Sequence, residues 1–273
     1  MSPMLSAEKG VTLRRLIAIL VLVVLPGVAA AEDAQLRALT TLDSVRGWEA
    51  VGRIDIDHGR GFCTGTLIEP DLVLTAAHCL YRPGTKEELP PSAFEFRAGW
   101  QTGHAAAVRG ARRVMAHPDY VYDAADWASK VRYDVAIIEL DLPIRAPTAN
   151  PLPVGTSSRR GDSVAVLSYA RERSETPSLQ SQCRTRDRAS GVIIFTCAVD
   201  FGASGSPVLS FSEGSPRIVS VVSGMATTEE GKVALGMYVD QRLPELRARF
   251  DQSGTKGLSA FTKGTEGAKF LKP

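Results

Sequence analysis

The sequence lacks an excess of charge of either sign. Its 32 Lys and Arg residues nearly balance its 30 Asp and Glu residues, which leaves a formal net charge of +2 over 273 residues. It also has no cluster of Lys and Arg interleaved with aromatic residues, and the pI of about 8.4 does not outweigh this balance. Nucleic-acid binding normally requires a basic patch, so the composition argues against a nucleic-acid partner.

Long hydrophobic runs are scarce. The run LIAILVLVVL, residues 16–25, has about ten residues where a membrane-spanning helix needs about twenty. Basic residues precede this run, and the small residues of PGVAAAED follow it. This order is typical of a secretory signal peptide. It predicts that residues 1–31 are a signal peptide, cut near Ala30 or Ala31, and that the protein is secreted or periplasmic without stable membrane insertion. The alternative is an uncleaved anchor.

Helical periodicity is rare, and is convincing only in DQRLPELRARF near the C-terminus. Elsewhere, short runs such as AVGRIDI, LVLTA, VAIIEL, SVAVLSYA and IVSVVSG are separated by Gly, Pro and Asp. Short strands with turn signals between them predict an all-β barrel or sandwich. The Gly- and Lys-rich end has few large apolar residues, which predicts a flexible tail over residues 251–273 after a folded domain over residues 32–250.

The chain has only four cysteines, Cys63, Cys79, Cys183 and Cys197. In a secreted protein an even number of thiols indicates disulfide bonds, and four cysteines allow three pairings. Local pairing, of Cys63 with Cys79 and of Cys183 with Cys197, is the most economical. A metal site is the alternative, but the sequence lacks any Cys-x-x-Cys pair. We therefore predict no metal ion and no other cofactor.

The segment TCAVDFGASGSPVLS, residues 196–210, surrounds Ser204 with very small residues. The simpler interpretation is a glycine-rich turn that leads into a strand. The alternative is a nucleophilic serine, which needs open space and backbone N–H groups directed at the oxygen that becomes negative during acyl transfer. Gly202 and Ser204 are the candidates for donating these N–H groups. This alternative requires a base and an orienting carboxylate elsewhere.

Two residues suit those roles. His78, one of four histidines, ends the apolar segment LVLTAAHC and precedes Cys79. A structural histidine is the simpler interpretation, yet a disulfide beside a general base keeps the base near its nucleophile. Asp134 lies at the start of the apolar run in RYDVAIIEL. A carboxylate there is costly unless hydrogen-bonded, and orienting an imidazole satisfies it.

Together these segments resemble the chymotrypsin/trypsin-like serine proteases. LTAAHC, YDVAIIEL and GASGSP look like that family's catalytic signatures in its order His, Asp, Ser, and CTGTLI, AHPDY and GMYVD are lesser matches within roughly residues 48–250. The resemblance implies an all-β fold of two perpendicular six-stranded antiparallel β-barrels, with a C-terminal helix and the site in the cleft between the barrels.

The resemblance also implies a function and assigns roles. It implies a secreted serine endopeptidase that acts on a protein or peptide substrate. Ser204 is the implied nucleophile, His78 the general base and then acid, and Asp134 the orienting carboxylate. The N–H groups of Gly202 and Ser204 form the implied oxyanion hole. A catalytically silent binding protein on the same fold is the alternative.

The predicted substrate pocket departs from the trypsin pattern. Ala198 stands six positions before Ser204, where trypsin-like enzymes have an acidic residue. GSP after the nucleophile resembles bacterial glutamyl endopeptidases, although we find no histidine where those enzymes recognise glutamate. The predicted substrate-binding residues are Ala198, Val199, Ser220, Val222 and Gly236.

A second departure concerns activation. In trypsin-like zymogens a newly freed amine pairs with an aspartate just before the nucleophile, and here that position is Ala203. A buried amine without a counter-charge is unfavourable. We therefore expect the oxyanion loop to be held by its own packing and by the Cys183–Cys197 bridge, without a cut after Arg46. Asp200 is expected to be solvated; the alternatives are that it faces the pocket or accepts the amine.

The pocket residues predict cleavage after small or medium apolar residues. Ala198 has no charge to hold Arg or Lys, and Val199 and Val222 would narrow the pocket and make it apolar. The measurement is a cleavage profile on a diverse peptide library. A profile dominated by Arg, Lys or Glu before the cut would contradict this prediction.

Overall fold

Antiparallel strands dominate the computed structural model, which describes residues 36–229 and 231–263. In chain order the strands are β1 Leu36–Ala38, β2 Val51–Ile56, β3 Gly61–Glu69, β4 Leu72–Thr75, β5 Phe94–Ala98, β6 Ala107–Ala116, β7 Ala136–Leu140, β8 Ser163–Ala170, β9 Arg173–Ala189, β10 Val192–Phe195, β11 Pro207–Ser210, β12 Arg217–Thr228 and β13 Gly231–Met237. The helices are α1 Leu42–Val45, α2 Trp127–Arg132 and α3 Val239–Lys263, with 3-10 turns at Ala77–Leu80 and Pro91–Ala93.

Strands β2 to β7 form a closed barrel in the order β2-β3-β4-β7-β6-β5. Pairing of β2 with β5 closes it, with Ile54 opposite Phe96 in the register. Along β5 the side chains alternate, so Phe94 and Phe96 are buried while the intervening Glu95 is half-buried. This period of two fills the barrel with apolar side chains and turns charged ones outward.

The second barrel uses the later strands. Its sheet runs β1-β9-β10-β13-β12-β11-β8, and an additional pairing of β9 with β8 closes all of these strands except β1 into a ring. The ring therefore has six strands. β1 is an additional strand that pairs with β9, with Leu36 opposite Gln180 in the register. Two six-stranded antiparallel barrels followed by a C-terminal helix confirm the predicted all-β, chymotrypsin-like fold.

Both predicted disulfide bonds are present. Cys63 on β3 is bonded to Cys79 in the 3-10 turn, with their Cα atoms 6.3 Å apart. Cys183 on β9 is bonded to Cys197, which follows β10, across a Cα–Cα distance of 5.1 Å. The local pairing is thus confirmed. Each bridge joins neighbouring elements and limits the freedom of the unfolded chain.

The C-terminal helix is longer than the sequence predicts. α3 continues to Lys263, so the first part of the predicted tail, residues 251–273, is helical. The domain boundary at residue 250 and the flexibility of the tail stay predictions. Contacts remote in the sequence explain the length of the helix. Arg113 of β6 donates hydrogen bonds of 3.0 Å to Phe250 O and Ser253 Oγ. Its guanidinium also lies 3.4 Å from the Phe250 ring centroid, which anchors the helix on the first barrel.

The predicted signal peptide, residues 1–31, and the start of the predicted domain at residue 32 lie outside the described residues. Among the residues that the structure does describe, none of the helices combines the length and the apolar character needed to span a bilayer.

Close packing of the first barrel yields a stability prediction. A Cβ atom at Gly52 would lie 2.5 Å from both Arg97 O and Phe96 Cε2, whereas at Gly61 of the adjacent strand it would meet nothing within 4 Å. We expect Gly52→Ala to lower the free energy of unfolding by about 1–3 kcal/mol, as overpacking does, and Gly61→Ala to change it much less. Urea unfolding of both variants measures this; equal losses would contradict it.

Candidate active site

His78 lies on a short, covalently tethered turn. Strand β4 ends at Thr75, and the 3-10 turn that follows carries His78 beside Cys79. The bridge from Cys79 to Cys63 ties this turn to the adjacent strand β3. The His78 side chain keeps 30% of its surface exposed, so the imidazole is fixed in place yet open to a ligand.

Asp134 is buried, with its side chain 2% exposed, between α2 and β7. Its Oδ1 accepts a 2.8 Å hydrogen bond from the His78 backbone N–H. Its Oδ2 lies 2.7 Å from His78 Nδ1 and accepts a 2.5 Å hydrogen bond from Ser223 Oγ. These bonds compensate the cost of burying a carboxylate. A carboxylate only accepts, so His78 Nδ1 carries the proton and Nε2 is left to act as a base.

Burial of the imidazole opposes its protonation and is the largest influence on the pKa of His78. The negative charge of Asp134 and its hydrogen bond to the ring together outweigh that cost, so the pKa lies above its ordinary value of 6.5. Opposite charges at hydrogen-bonding distance favour the protonated ring. The site therefore favours a proton on His78 after one has been abstracted from a nucleophile.

Ser204 and His78 line the same cavity, which has a volume of about 550 Å³. Ser204 is half-buried, in the loop between β10 and β11. Within the described part of the chain, Ser204 Oγ and His78 Nε2 form no hydrogen bond; Nε2 lies 3.9 Å from Cys79 Sγ. Hydrogen bonds between a nucleophile and its base often tighten only when substrate binds.

Glycines flank Ser204 for steric reasons. Gly202 has a φ of +95°, and a Cβ there would lie 2.3 Å from Phe62 Cε2. Gly205 has a φ of +82°, and a Cβ there would lie 2.1 Å from Thr75 Oγ1. Both positions therefore require glycine, because of the left-handed backbone and the close neighbours. The small residues around Ser204 let this loop pack tightly against the first barrel.

The loop around Ser204 leaves two amides available. Ala203 N donates to Asp200 O at 3.0 Å, and Gly205 N donates to Val222 O at 2.8 Å. The amides of Gly202 and Ser204 donate to no acceptor among the residues that the structure describes. This pattern suits the predicted oxyanion hole, which needs donors that are held in place but unused before substrate arrives.

Thr64, which the sequence analysis missed, holds this loop from the first barrel. It is fully buried, and its Oγ1 donates to Gly202 O at 3.0 Å. Its backbone N donates to Ser204 O at 2.8 Å, and its Oγ1 accepts from Tyr169 N at 3.1 Å. The one sequence feature that could have pointed to Thr64 is its position directly after Cys63 in CTGTLI.

Ser223 is the second residue that the sequence analysis missed. Its hydroxyl is buried against the Asp134 carboxylate, and it ends the apolar part of β12, IVSVVS. A serine at the end of a buried strand was the available signal, but the sequence does not show that β12 runs past Asp134.

The five predicted substrate-binding residues lie together in the second barrel. Ala198 is exposed, whereas the side chains of Val199 and Val222 are buried in the barrel's apolar core. Val222 pairs with Gly236, where a Cβ would lie 2.4 Å from Ser220 Oγ. The role of these residues in a substrate pocket stays a prediction.

Asp200 accepts hydrogen bonds from the backbone of its own loop. Its Oδ1 accepts a 2.7 Å hydrogen bond from Phe201 N, and its carbonyl accepts one from Ala203 N. Ala203 is fully buried. Gly47, by contrast, is exposed and donates its N–H to Glu49. These contacts agree with a loop held by its own packing, and independence from a cut after Arg46 stays a prediction.

One group of potential metal ligands overlaps the site. Cys63 Sγ, Cys79 Sγ and a ring nitrogen of His78 lie within 4.8 Å of one another. Both sulfur atoms belong to a disulfide bond. Since metal ligation by cysteine needs a free thiolate, this cluster does not suit a metal ion.

This fold, with a half-buried histidine bonded to a buried aspartate beside a serine loop, is characteristic of a serine-peptidase scaffold. Residues 63–216 match the trypsin-like peptidase domain family, and the chain belongs to that family.

Individual relatives are more distant. The chain is 30% identical over 166 residues to serine protease SP24D of Anopheles gambiae, a match that covers 54% of this chain and 58% of that protein. The chain thus spans under two thirds of that relative's length. A Glu endopeptidase solved with MPD superposes with a TM-score of 0.64 at 17% identity, over 79% of this chain and 97% of that one.

A further structural neighbour is the scabies mite inactivated protease paralogue S-D1. Its TM-score is 0.61 at 15% identity, and the superposition covers 76% of this chain and 94% of that one. At such identities these neighbours establish the fold alone. Activity has to be argued from the residues of the site.

The raised pKa of His78 predicts the pH dependence of activity. An imidazole acts as a base only when neutral, so we expect the rate of peptide hydrolysis to rise with pH through a pKa above 6.5. Asp134→Asn removes the charge that raises this pKa and leaves burial, which lowers it. We expect the acid limb of kcat/KM to move to lower pH and kcat to fall by about 10³- to 10⁴-fold.

The control is Asp43→Asn, at an exposed aspartate that pairs with Arg46. It should leave the pH profile unchanged. An acid limb that stays in place in Asp134→Asn would contradict the assignment of this limb to His78.

Proposed function

We propose that this protein is a secreted serine endopeptidase that hydrolyses peptide bonds through an acyl-enzyme intermediate. One observation carries the proposal: His78 Nδ1 is bonded at 2.7 Å to a buried carboxylate, while the same ring lines a cavity with Ser204. This arrangement supports a base whose orientation is fixed and whose Nε2 is available. The membership in the trypsin-like peptidase domain family agrees with it.

In the first step Ser204 Oγ attacks the carbonyl carbon of the scissile peptide bond, and His78 Nε2 takes the hydroxyl proton. The electron pair of the C=O double bond moves to the oxygen, which the N–H groups of Gly202 and Ser204 stabilise. The pair then returns, the C–N bond breaks, and His78 gives its proton to the leaving amine. Ser204 is left as an ester of the acyl part.

In the second step a water molecule takes the place of the leaving amine. His78 removes a proton from the water, whose oxygen attacks the ester carbon, and the same N–H groups stabilise the oxyanion. Ser204 Oγ then leaves with the proton from His78, which restores the enzyme. Asp134 remains ionised throughout, and it holds the tautomer and stabilises the imidazolium ring.

We infer that the protein works outside the cytosol. Two disulfide bonds support this location, because such bonds persist in oxidising compartments. The basic, apolar and small-residue segments at the N-terminus support export by a signal peptide. Ala198 and its neighbours support cleavage after small or medium apolar residues.

A catalytically silent binding protein is the second candidate, and one structural neighbour is described as an inactivated protease. It would use the same cleft to hold a peptide without cutting it. The presence of His78, Asp134 and Ser204 in one site favours the enzyme, because a binding function needs none of their chemistry.

Ser204→Ala tests the proposal. The variant should remain folded, because the change removes one oxygen in a loop that already contains Ala203. Its peptidase activity should fall by about 10⁴-fold or more, since the nucleophile is absent. The wild-type protein should also react with a fluorophosphonate probe at Ser204, and the variant should not. A wild-type protein that is folded but unlabelled, or a variant that retains activity, would exclude a serine mechanism.

A further inference from the structure

The cavity beside Ser204 lies on one side of the nucleophile. Its lining includes His78, Gly202 and Phe62, together with the bridge Cys63–Cys79. It includes none of the residues predicted to hold the substrate residue before the cut, Ala198, Val199, Ser220, Val222 and Gly236. A substrate whose scissile carbonyl oxygen lay at the amides of Gly202 and Ser204, with the residue before the cut at those five residues, would extend its chain after the scissile bond into this cavity.

The cavity has a cationic rim. Arg60, Arg82 and Arg171 contribute to the lining, and Asp57 is the one carboxylate in it. Asp57 Oδ2 is shared between Arg60 Nη1 at 3.3 Å and Arg82 Nη1 at 3.2 Å. Arg82 also pairs with Glu87 at 2.8 Å. Two of the three guanidinium groups therefore already have counter-charges.

Arg171 differs from the other two arginines. Among the residues that the structure describes, no carboxylate forms an ion pair with it. Its guanidinium lies over the Phe201 ring, 4.7 Å from the centroid, and its backbone N–H donates to Phe201 O at 2.8 Å. Phe201 is itself 58% exposed and lines the cavity. Stacking on a ring limits the freedom of a guanidinium while its N–H donors stay available.

The rest of the lining is apolar. Ile56, Phe62, Tyr81, Pro83 and Leu89 contribute to it, together with Phe201. Such a surface accommodates the aliphatic part of a side chain or a backbone segment, while an arginine at the edge recognises its charged end. A lysine or arginine of a substrate would meet the same net positive charge and be disfavoured.

We propose that Arg171 determines specificity on the leaving-group side, by binding a substrate carboxylate that lies just after the scissile bond. The carboxylate belongs either to an acidic side chain or to the free C-terminus of a short leaving peptide. This inference rests on the proposed peptidase function, and it concerns the residue after the cut, which the predicted preference for apolar residues before the cut leaves open.

The experiment measures how the acyl-enzyme partitions between two reactions, hydrolysis by water and aminolysis by an added amine. The acyl donor is an ester of the acyl group that the protein cleaves best in peptide profiling. The amines are glutamic acid α-amide, its neutral isostere glutamine α-amide, and glutamine with a free α-carboxylate. Chromatography measures the ratio of the amide product to the hydrolysis product for each amine.

We expect one of the two carboxylate amines to exceed glutamine α-amide by about three- to tenfold in this ratio, as a partly exposed Arg–carboxylate pair allows. The glutamic acid amide would identify a side-chain carboxylate, and free glutamine would identify a C-terminal one. Arg171→Gln should abolish the advantage, and Arg171→Lys should keep part of it. Arg249→Gln, at an exposed arginine of α3 outside the cavity, should leave the advantage and the ester hydrolysis unchanged.

Equal ratios for the three amines, or an advantage that survives Arg171→Gln, would overturn the inference. If that variant does not fold, the wild-type protein still decides, because the advantage must shrink as salt screens the pair; an advantage independent of salt overturns the inference. Failure of the proposed function is distinguishable: the folded protein would then hydrolyse no ester at all, and the inference would fall with it.

Discussion

The buried carboxylate of Asp134 is the group on which the site depends. Its burial is tolerable only because hydrogen bonds reach it from both barrels, from His78 beside β4 in the first and from Ser223 on β12 in the second. Loss of either contact leaves a charge poorly compensated in a dry environment. The Asp134 carboxylate therefore both links the two barrels and fixes the orientation of the His78 imidazole.

Thr64 couples the barrels a second time, at Ser204. It follows Cys63, whose bridge holds the turn of His78, and it also donates to the carbonyls of Gly202 and Ser204. One stretch of β3 thus supports the turn that carries His78 through a covalent bond and the loop that carries Ser204 through hydrogen bonds. Preorganised donors of this kind need no rearrangement when charge develops on a substrate.

Local signals in the sequence were enough for most of the strands and for both disulfide bonds, but not for β1, β6 and β9. They also singled out His78, Asp134 and Ser204, because each lies in a short segment of distinctive composition; the catalytic roles of these three residues stay predictions. Ser223 and Thr64 were missed, since their roles arise from contacts between parts of the chain that are far apart in the sequence. Ser223 bonds to Asp134 across a separation of 89 positions, and Thr64 bonds to Gly202 across 138. The length of α3 was not predicted for the same reason, because the residue that anchors the helix, Arg113, lies 137 positions from Phe250 in the sequence. Strand β1 has only three residues, all of them exposed, and it forms by pairing with β9.

The two ends of the folded chain cross over, because each packs against the barrel that lies farther from it in the sequence. Before the first barrel begins, β1 has already joined the second barrel, and Leu39 just after it is fully buried. After the second barrel ends, α3 returns to the first, where Arg247 pairs with Glu69 and Glu245 with His117. Each barrel thus packs against a segment from the opposite end of the chain. A split into two fragments at the segment between β7 and β8 would separate each barrel from that segment, so complementation would require β1 and α3 to dock onto the other fragment.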